Sequence, residues 1–115
     1  MHFDKSRVNK ILIIKPQAIG DVLLSTPVIE NMRHHFPDAE INFLTQSYCR
    51  EVLEGNPYLD RVLTYDIGKG DSSYCLIRNI HNQKYDLILD LFGNPRTAII
   101  VFNSDARYRV GFRFK

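Results

Sequence analysis

Residues Ile11–Pro27, reading ILIIKPQAIGDVLLSTP, decide how this chain folds. The run Ile11-Leu12-Ile13-Ile14 is apolar without alternation, which is the pattern of a strand buried on both faces, as in a parallel sheet. Lys15-Pro16 ends the run, a short loop follows, and Gly20-Asp21 opens a new apolar-periodic stretch. The segment therefore reads as strand, loop and helix. In open α/β sheets ligands bind just past the carboxyl end of such a strand, and Asp21 is an ionisable side chain at that point.

The stretch after Asp21 predicts a helix over residues 21–35. Val22, Leu23, Val28, Ile29, Met32 and Phe36 fall on one stripe, and Pro37 stops it. Pro27 allows two versions. Either the helix runs on with a kink, the version preferred here, or Asp21–Leu24 is a separate turn and Thr26 caps a second helix with Pro27 at its first position.

The pattern then repeats. Strands are predicted at Glu40–Leu44, Arg61–Tyr65, Leu87–Leu91 and Arg109–Phe112. Between them come a short helix at Ser47–Glu54, one from Ser72 or Ser73 to about Asn82, and one at Pro95–Asn103; Gly68-Lys69-Gly70-Asp71 is a turn. Alternating strands and helices give an α/β domain, a mostly parallel sheet with helices on both faces in three layers. Ile11–Ile14 and Leu87–Leu91, both nearly all apolar, are expected next to each other or close by at the sheet centre.

With 115 residues the chain has the length of a single domain. A net charge of +2 does not imply a nucleic-acid partner, although the charge is uneven. From Arg96 onward Arg107, Arg109, Arg113 and Lys115 accompany Arg96 against one acid, Asp105, which is either a solvated basic end or an anion-facing patch. Cys49 and Cys75 lack CxxC spacing and a neighbouring His cluster, so no metal site and no disulfide are expected. The polar start MHFDKSRVNK has no signal-peptide core, and no run approaches the ~20 apolar residues of a membrane span. These features lead us to expect a cytoplasmic, reduced protein.

The candidate site residues each have two readings. At a helix N-terminus, the Asp21 carboxylate is either a cap favoured by unpaired N–H groups and the macrodipole, or a general base placed to take a proton from an incoming hydroxyl. Lys15 pairs with Asp21 or an anionic substrate, or is simply a solvated strand end. Gly20 permits close ligand approach or a sharp turn. The loop Phe92-Gly93-Asn94-Pro95-Arg96 follows another strand at the same sheet edge. Arg96 there opposes the helix dipole, which a ligand phosphate or carboxylate explains, as does exposure alone.

Several familiar sites are excluded. One glycine in the first loop is not a dinucleotide-binding GxGxxG, and Gly68-Lys69-Gly70 lacks the spacing and following hydroxyl residue of a phosphate-binding P-loop. Ser25 and Ser47 have no Gly-x-Ser-x-Gly context. A phosphoacceptor receiver domain suits the length, and Asp66 follows the third strand. However, Lys15-Pro16 stands where the receiver's acidic pair belongs.

The run ILIIKPQAIGDVLLSTPVIENMRHHFPDAEINFLTQ resembles the start of the ADP-heptose:lipopolysaccharide heptosyltransferases, glycosyltransferase family nine. Lys15, Gly20, Asp21, Val22, Thr26 and Pro27 match that pattern in order. The similarity continues through Phe36–Ile41, Gly55-Asn56-Pro57, Tyr85–Leu91, Gly93, Arg96 and Arg109–Phe112, and so covers nearly the whole chain. The resemblance implies the N-terminal half of a GT-B fold, in which two Rossmann-like domains face each other across a cleft with no required metal or cofactor. It makes Asp21 the catalytic base and sets Arg96 towards acceptor phosphates or acidic sugars. Lys15, Gly20, Gly93 and Asn94 join Arg96 as expected substrate contacts.

The implied partners are the lipopolysaccharide core acceptor and, through a second nucleotide-sugar domain, the ADP-heptose donor. This sequence covers the acceptor-side domain alone, residues 1–115, so inactivity in isolation, self-association and peripheral contact with the inner face of the inner membrane are further expectations. Phe92 stands where many relatives carry Gln, and Asn94-Pro95 replaces a more apolar pair. A freestanding, non-catalytic sugar- or phosphate-binding module is the alternative reading.

Overall fold

The structure is a computed structural model that describes residues 7–15, 18–65, 73–91 and 95–111, with the backbone alone for residues 73–74 and 95–98. Five strands form its sheet: β1 (Lys10–Ile14), β2 (Glu40–Thr45), β3 (Arg61–Thr64), β4 (Leu87–Asp90) and β5 (Tyr108–Gly111). Their order is β3-β2-β1-β4-β5, and every pairing is parallel. The helices are α1 (Ile19–Leu24), α2 (Thr26–His35), α3 (Ser73–Gln83) and α4 (Pro95–Asn103), with a 3₁₀ helix at Ser47–Val52.

Because side chains alternate along a strand, β1 supplies both cores. Ile11 and Ile13 join Val22 of α1, Ile29 of α2, Cys49 and Phe43 on one face. Leu12 and Ile14 join Ile80 of α3, Ile100 of α4 and Ile88 on the other. Two separate cores across one sheet make three layers, and this is why the β1 run shows no polar alternation. β1 and β4 are neighbours at the centre, with Ile11 beside Leu87 and Ile14 beside Asp90, as expected from their composition.

The register is held at the amino edge by one device used twice. Asp86, just before β4, accepts hydrogen bonds through Oδ2 from the backbone N–H groups of Asn9 (2.9 Å) and Lys10 (3.0 Å) at the start of β1. Asp60, just before β3, accepts one from the Ile41 N–H at 2.7 Å. A carboxylate that accepts two donors is well satisfied there, and a one-residue slip would break both bonds.

The preferred kinked helix over residues 21–35 is corrected to two helices that meet at Ser25. Pro27 lacks the N–H that a continuous helix would direct at the Leu23 carbonyl. Instead the Thr26 hydroxyl donates to Leu23 O at 2.9 Å, and the Ser25 hydroxyl donates to Asp21 O at 2.8 Å. The second helix starts with Thr26 and has Pro27 in its first turn, close to the other version. α1 also begins at Ile19, so Asp21 is its third residue and the cap position belongs to Ala18. The cap reading of Asp21 is therefore corrected to a first-turn carboxylate.

The short helix expected at Ser47–Glu54 is a 3₁₀ helix over Ser47–Val52, and it leads to a turn at Gly55 with φ of +81°. The expected turn at 68–71, Ser72 as a cap, and Asp66 lie outside the described residues.

Candidate functional site

In the order β3-β2-β1-β4-β5 the chain leaves β1 towards β2 and returns across it to β4, so the topological switch point lies between β1 and β4. Open α/β sheets bind ligands at the carboxyl ends of the strands beside such a point. Asp21 and Lys15 both lie on the β1 side of that switch point.

Lys15 directly follows β1 and is half-buried. Its backbone N–H donates to Leu44 O at 3.1 Å, and its Nζ donates to Leu91 O, just beyond β4, at 3.3 Å. Leu91 N–H in turn donates to Ile14 O at 2.9 Å. One ammonium group thus spans the two loops at the switch point, and Lys15 is more than a solvated strand end.

Asp21 is exposed, and none of the described hydrogen bonds or ion pairs reaches its carboxylate. Its position in the first turn of α1 satisfies the macrodipole preference for negative charge. Its neighbour Val22 is fully buried in the core. The helix is therefore pinned by Val22 while Asp21 faces solvent, an arrangement that suits a proton acceptor able to meet an incoming hydroxyl.

Gly20 is helical and exposed, and a Cβ added there would meet nothing within 4 Å. The sharp-turn alternative is thus corrected: the fold itself does not demand glycine at this position. Arg96 is the second residue of α4, directly after the β4 loop, with its side chain outside the described residues. Gly93 and Asn94 also lie outside the described residues.

Two residues at this edge escaped the sequence reading. Asp90, the last residue of β4, is 5% exposed and sits in register with Ile14. Its signal was a single acid closing an otherwise apolar strand. Ser25, also buried, bonds the Asp21 carbonyl; only its place before Thr26-Pro27 hinted at this. Among the described residues no group of three or more His, Cys, Asp or Glu side chains could hold a metal ion.

No protein-family model matches the chain. Lipooligosaccharide heptosyltransferase 2 of Haemophilus ducreyi is 29% identical over 108 residues, 90% of this chain and 31% of that protein. Lipopolysaccharide heptosyltransferase 3 of Escherichia coli is 32% identical over 97 residues, 79% of this chain and 28% of that protein. The crystal structure of a family 9 glycosyl transferase from Veillonella parvula superposes with a TM-score of 0.82 at 27% identity, covering 97% of this chain and 33% of that one. The chain spans about a third of the length of the relatives it matches. In sequence and in fold it is similar to that third of a family 9 glycosyltransferase, and the curated relatives it matches are lipopolysaccharide and lipooligosaccharide heptosyltransferases.

Proposed function

We propose that this chain is the acceptor-side, N-terminal domain of a glycosyltransferase that transfers heptose from ADP-heptose to the lipopolysaccharide inner core. The observation that carries this reading is the placement of Asp21, exposed and in a first helical turn, beside the β1/β4 switch point of a sheet similar to that of family 9 enzymes.

In this reading an acceptor hydroxyl docks against Asp21, whose carboxylate takes the proton as the hydroxyl oxygen attacks the anomeric carbon of the heptose. The new C–O bond forms while the bond to the ADP phosphate breaks, and ADP leaves with the electron pair. Lys15, fixed between the two loops, and Arg96, at the start of α4, supply positive charge to acceptor phosphates or acidic sugars. Gly20 leaves room for the acceptor to approach the backbone, and Gly93 and Asn94 extend the contact from the β4 loop. ADP-heptose binds the second domain of the enzyme, so residues 1–115 alone are inactive.

No described helix is long and apolar enough to cross a membrane. The domain works in the cytoplasm, in peripheral contact with the inner face of the membrane that holds its acceptor. Leu24 and Phe102, each 76% exposed, are apolar surface through which the isolated chain self-associates.

Two measurements test the proposal. The purified chain gives no heptosyl transfer, and adding the remaining two thirds of the enzyme restores it. An inner-core oligosaccharide titrated into the labelled chain shifts the amide resonances of Lys15, Gly20 and Asp21. Transfer by the isolated chain sinks the division of labour, and an oligosaccharide that leaves those resonances unmoved sinks the acceptor role. Binding without restored transfer favours the non-catalytic module instead.

A further inference from the structure

We propose that Ser25 is a positioning residue for Asp21, an inference that rests on the reading of Asp21 as the base. α1 has six residues, too few to be stable as an isolated helix. The direction of the Asp21 carboxylate therefore depends on what holds the two ends of α1. Val22 anchors its middle in the core. Its carboxyl end depends on Ser25.

In an uninterrupted helix the Asp21 carbonyl would receive the Ser25 N–H. Here that N–H donates to Val22 O at 3.1 Å, and the Ser25 hydroxyl donates to Asp21 O at 2.8 Å instead. A serine hydroxyl bonded four residues back redirects the helix axis. The Ser25 carbonyl meanwhile accepts the N–H groups of Val28 at 3.0 Å and Ile29 at 3.3 Å, which open α2.

One residue thus holds the end of α1 through its side chain and the start of α2 through its backbone. Ser25 is 6% exposed, so water does not compete for its hydroxyl, and loss of that group leaves the Asp21 carbonyl without its donor. Displacement of a catalytic group by an ångström lowers rate without removing any contact to substrate.

The test has two arms. In the 115-residue chain, Ser25→Ala speeds amide exchange at Val22–Ser25 by about tenfold, the scale of one lost hydrogen bond, and leaves β1 and β4 unchanged. Ser25→Thr, which keeps the hydroxyl, restores protection. In the complete transferase, assayed with ADP-heptose and an inner-core acceptor, Ser25→Ala lowers kcat by about tenfold with KM for the acceptor unchanged.

The decisive variant is the double one. In an Asp21→Asn background Ser25→Ala costs nothing further, because a positioning residue has nothing left to position. An equal loss in both backgrounds overturns the proposal and makes Ser25 purely structural, as does unchanged exchange in Ser25→Ala. Full turnover in Asp21→Asn alone removes the base reading and the proposal with it. The exchange arm, which does not involve catalysis, tells these failures apart.

Discussion

Lys15 Nζ lies 3.3 Å from the carbonyl oxygen of Leu91, and through this bond the loop after β1 is tied to the loop after β4. The two residues are 76 positions apart in the chain and meet because β1 and β4 are parallel neighbours. A cation is thereby held at the carboxyl ends of β1 and β4, where the proposed acceptor would dock. Lys15→Met should lower affinity for a phosphorylated inner-core acceptor by about tenfold, on the order of one charge-assisted hydrogen bond. The binding should also become less sensitive to salt, which titrations at two ionic strengths would reveal.

Asp21→Asn in the complete enzyme separates catalysis from folding. Loss of a general base costs ~10²–10⁴-fold in rate. Asp21 is exposed and the cap position belongs to Ala18, so the melting temperature should hardly move. Normal turnover in the Asn variant would leave Asp21 as a first-turn carboxylate that favours the helix dipole and nothing more.

Arg33 is the main polar clamp of the amino edge. Its guanidinium donates to Ala39 O (2.6 Å), Pro37 O (3.1 Å), Tyr58 O (3.0 Å) and the Asp60 carboxylate (2.9 Å). Its side chain is 20% exposed, so several carbonyls would lose partners at a poorly hydrated site if it were removed. Arg33→Met should destabilise the chain by about 2–4 kcal/mol in urea unfolding. Arg33→Lys, which cannot span the same carbonyls, should recover only part of that loss. A change within experimental error for Arg33→Met would reduce the clamp to surface pairing of no energetic weight.

Tyr85 contributes to the loss of stability at alkaline pH. Burial pushes its phenol above the ordinary value of 10.0; the hydrogen bond donated by Asn42 at 2.8 Å opposes that shift, and the charge of Glu40 adds to it. A raised folded-state pKa means that the native state keeps its proton while the unfolded chain releases it. The associated stability is fully present below pH 10.0 and is lost as pH rises from there through the folded value. Tyr85→Phe should flatten this alkaline fall in melting temperature, while lowering stability at neutral pH because the buried Asn42 amide loses a partner. An unchanged alkaline slope would assign the fall to other groups.

How far the chain could be read from its residues follows from the range of each interaction. The ends of the central strands were legible to within a residue, because burial on both faces writes an unbroken apolar run, as in Ile11–Ile14, and Pro95 marked the start of α4. That β1 and β4 lie together or close by at the sheet centre was also legible, since nearly all-apolar strands belong where both faces are covered; their direct pairing came from the structure. The break at Ser25 was not. Pro27 announced a disturbance, but a kink and a break differ only in whether nearby hydroxyls take over the freed carbonyls, and that depends on rotamers of Ser25 and Thr26.

What the sequence determined by itself is the alternation of strands and helices, the parallel sheet, and Lys15 and Asp21 as the groups that follow the first strand. These depend on local periodicity and on hydrophobic burial, which each segment carries within itself. Tertiary structure alone decided that Lys15 reaches Leu91, that Arg33 gathers carbonyls from residues 37–58, and that Asp60 and Asp86 cap the starts of β2 and β1. Most of these polar bonds join residues far apart in sequence, with separations of up to 77 positions. Their partners come within reach only after the sheet has brought its edges together, and no local pattern of residues records that distance.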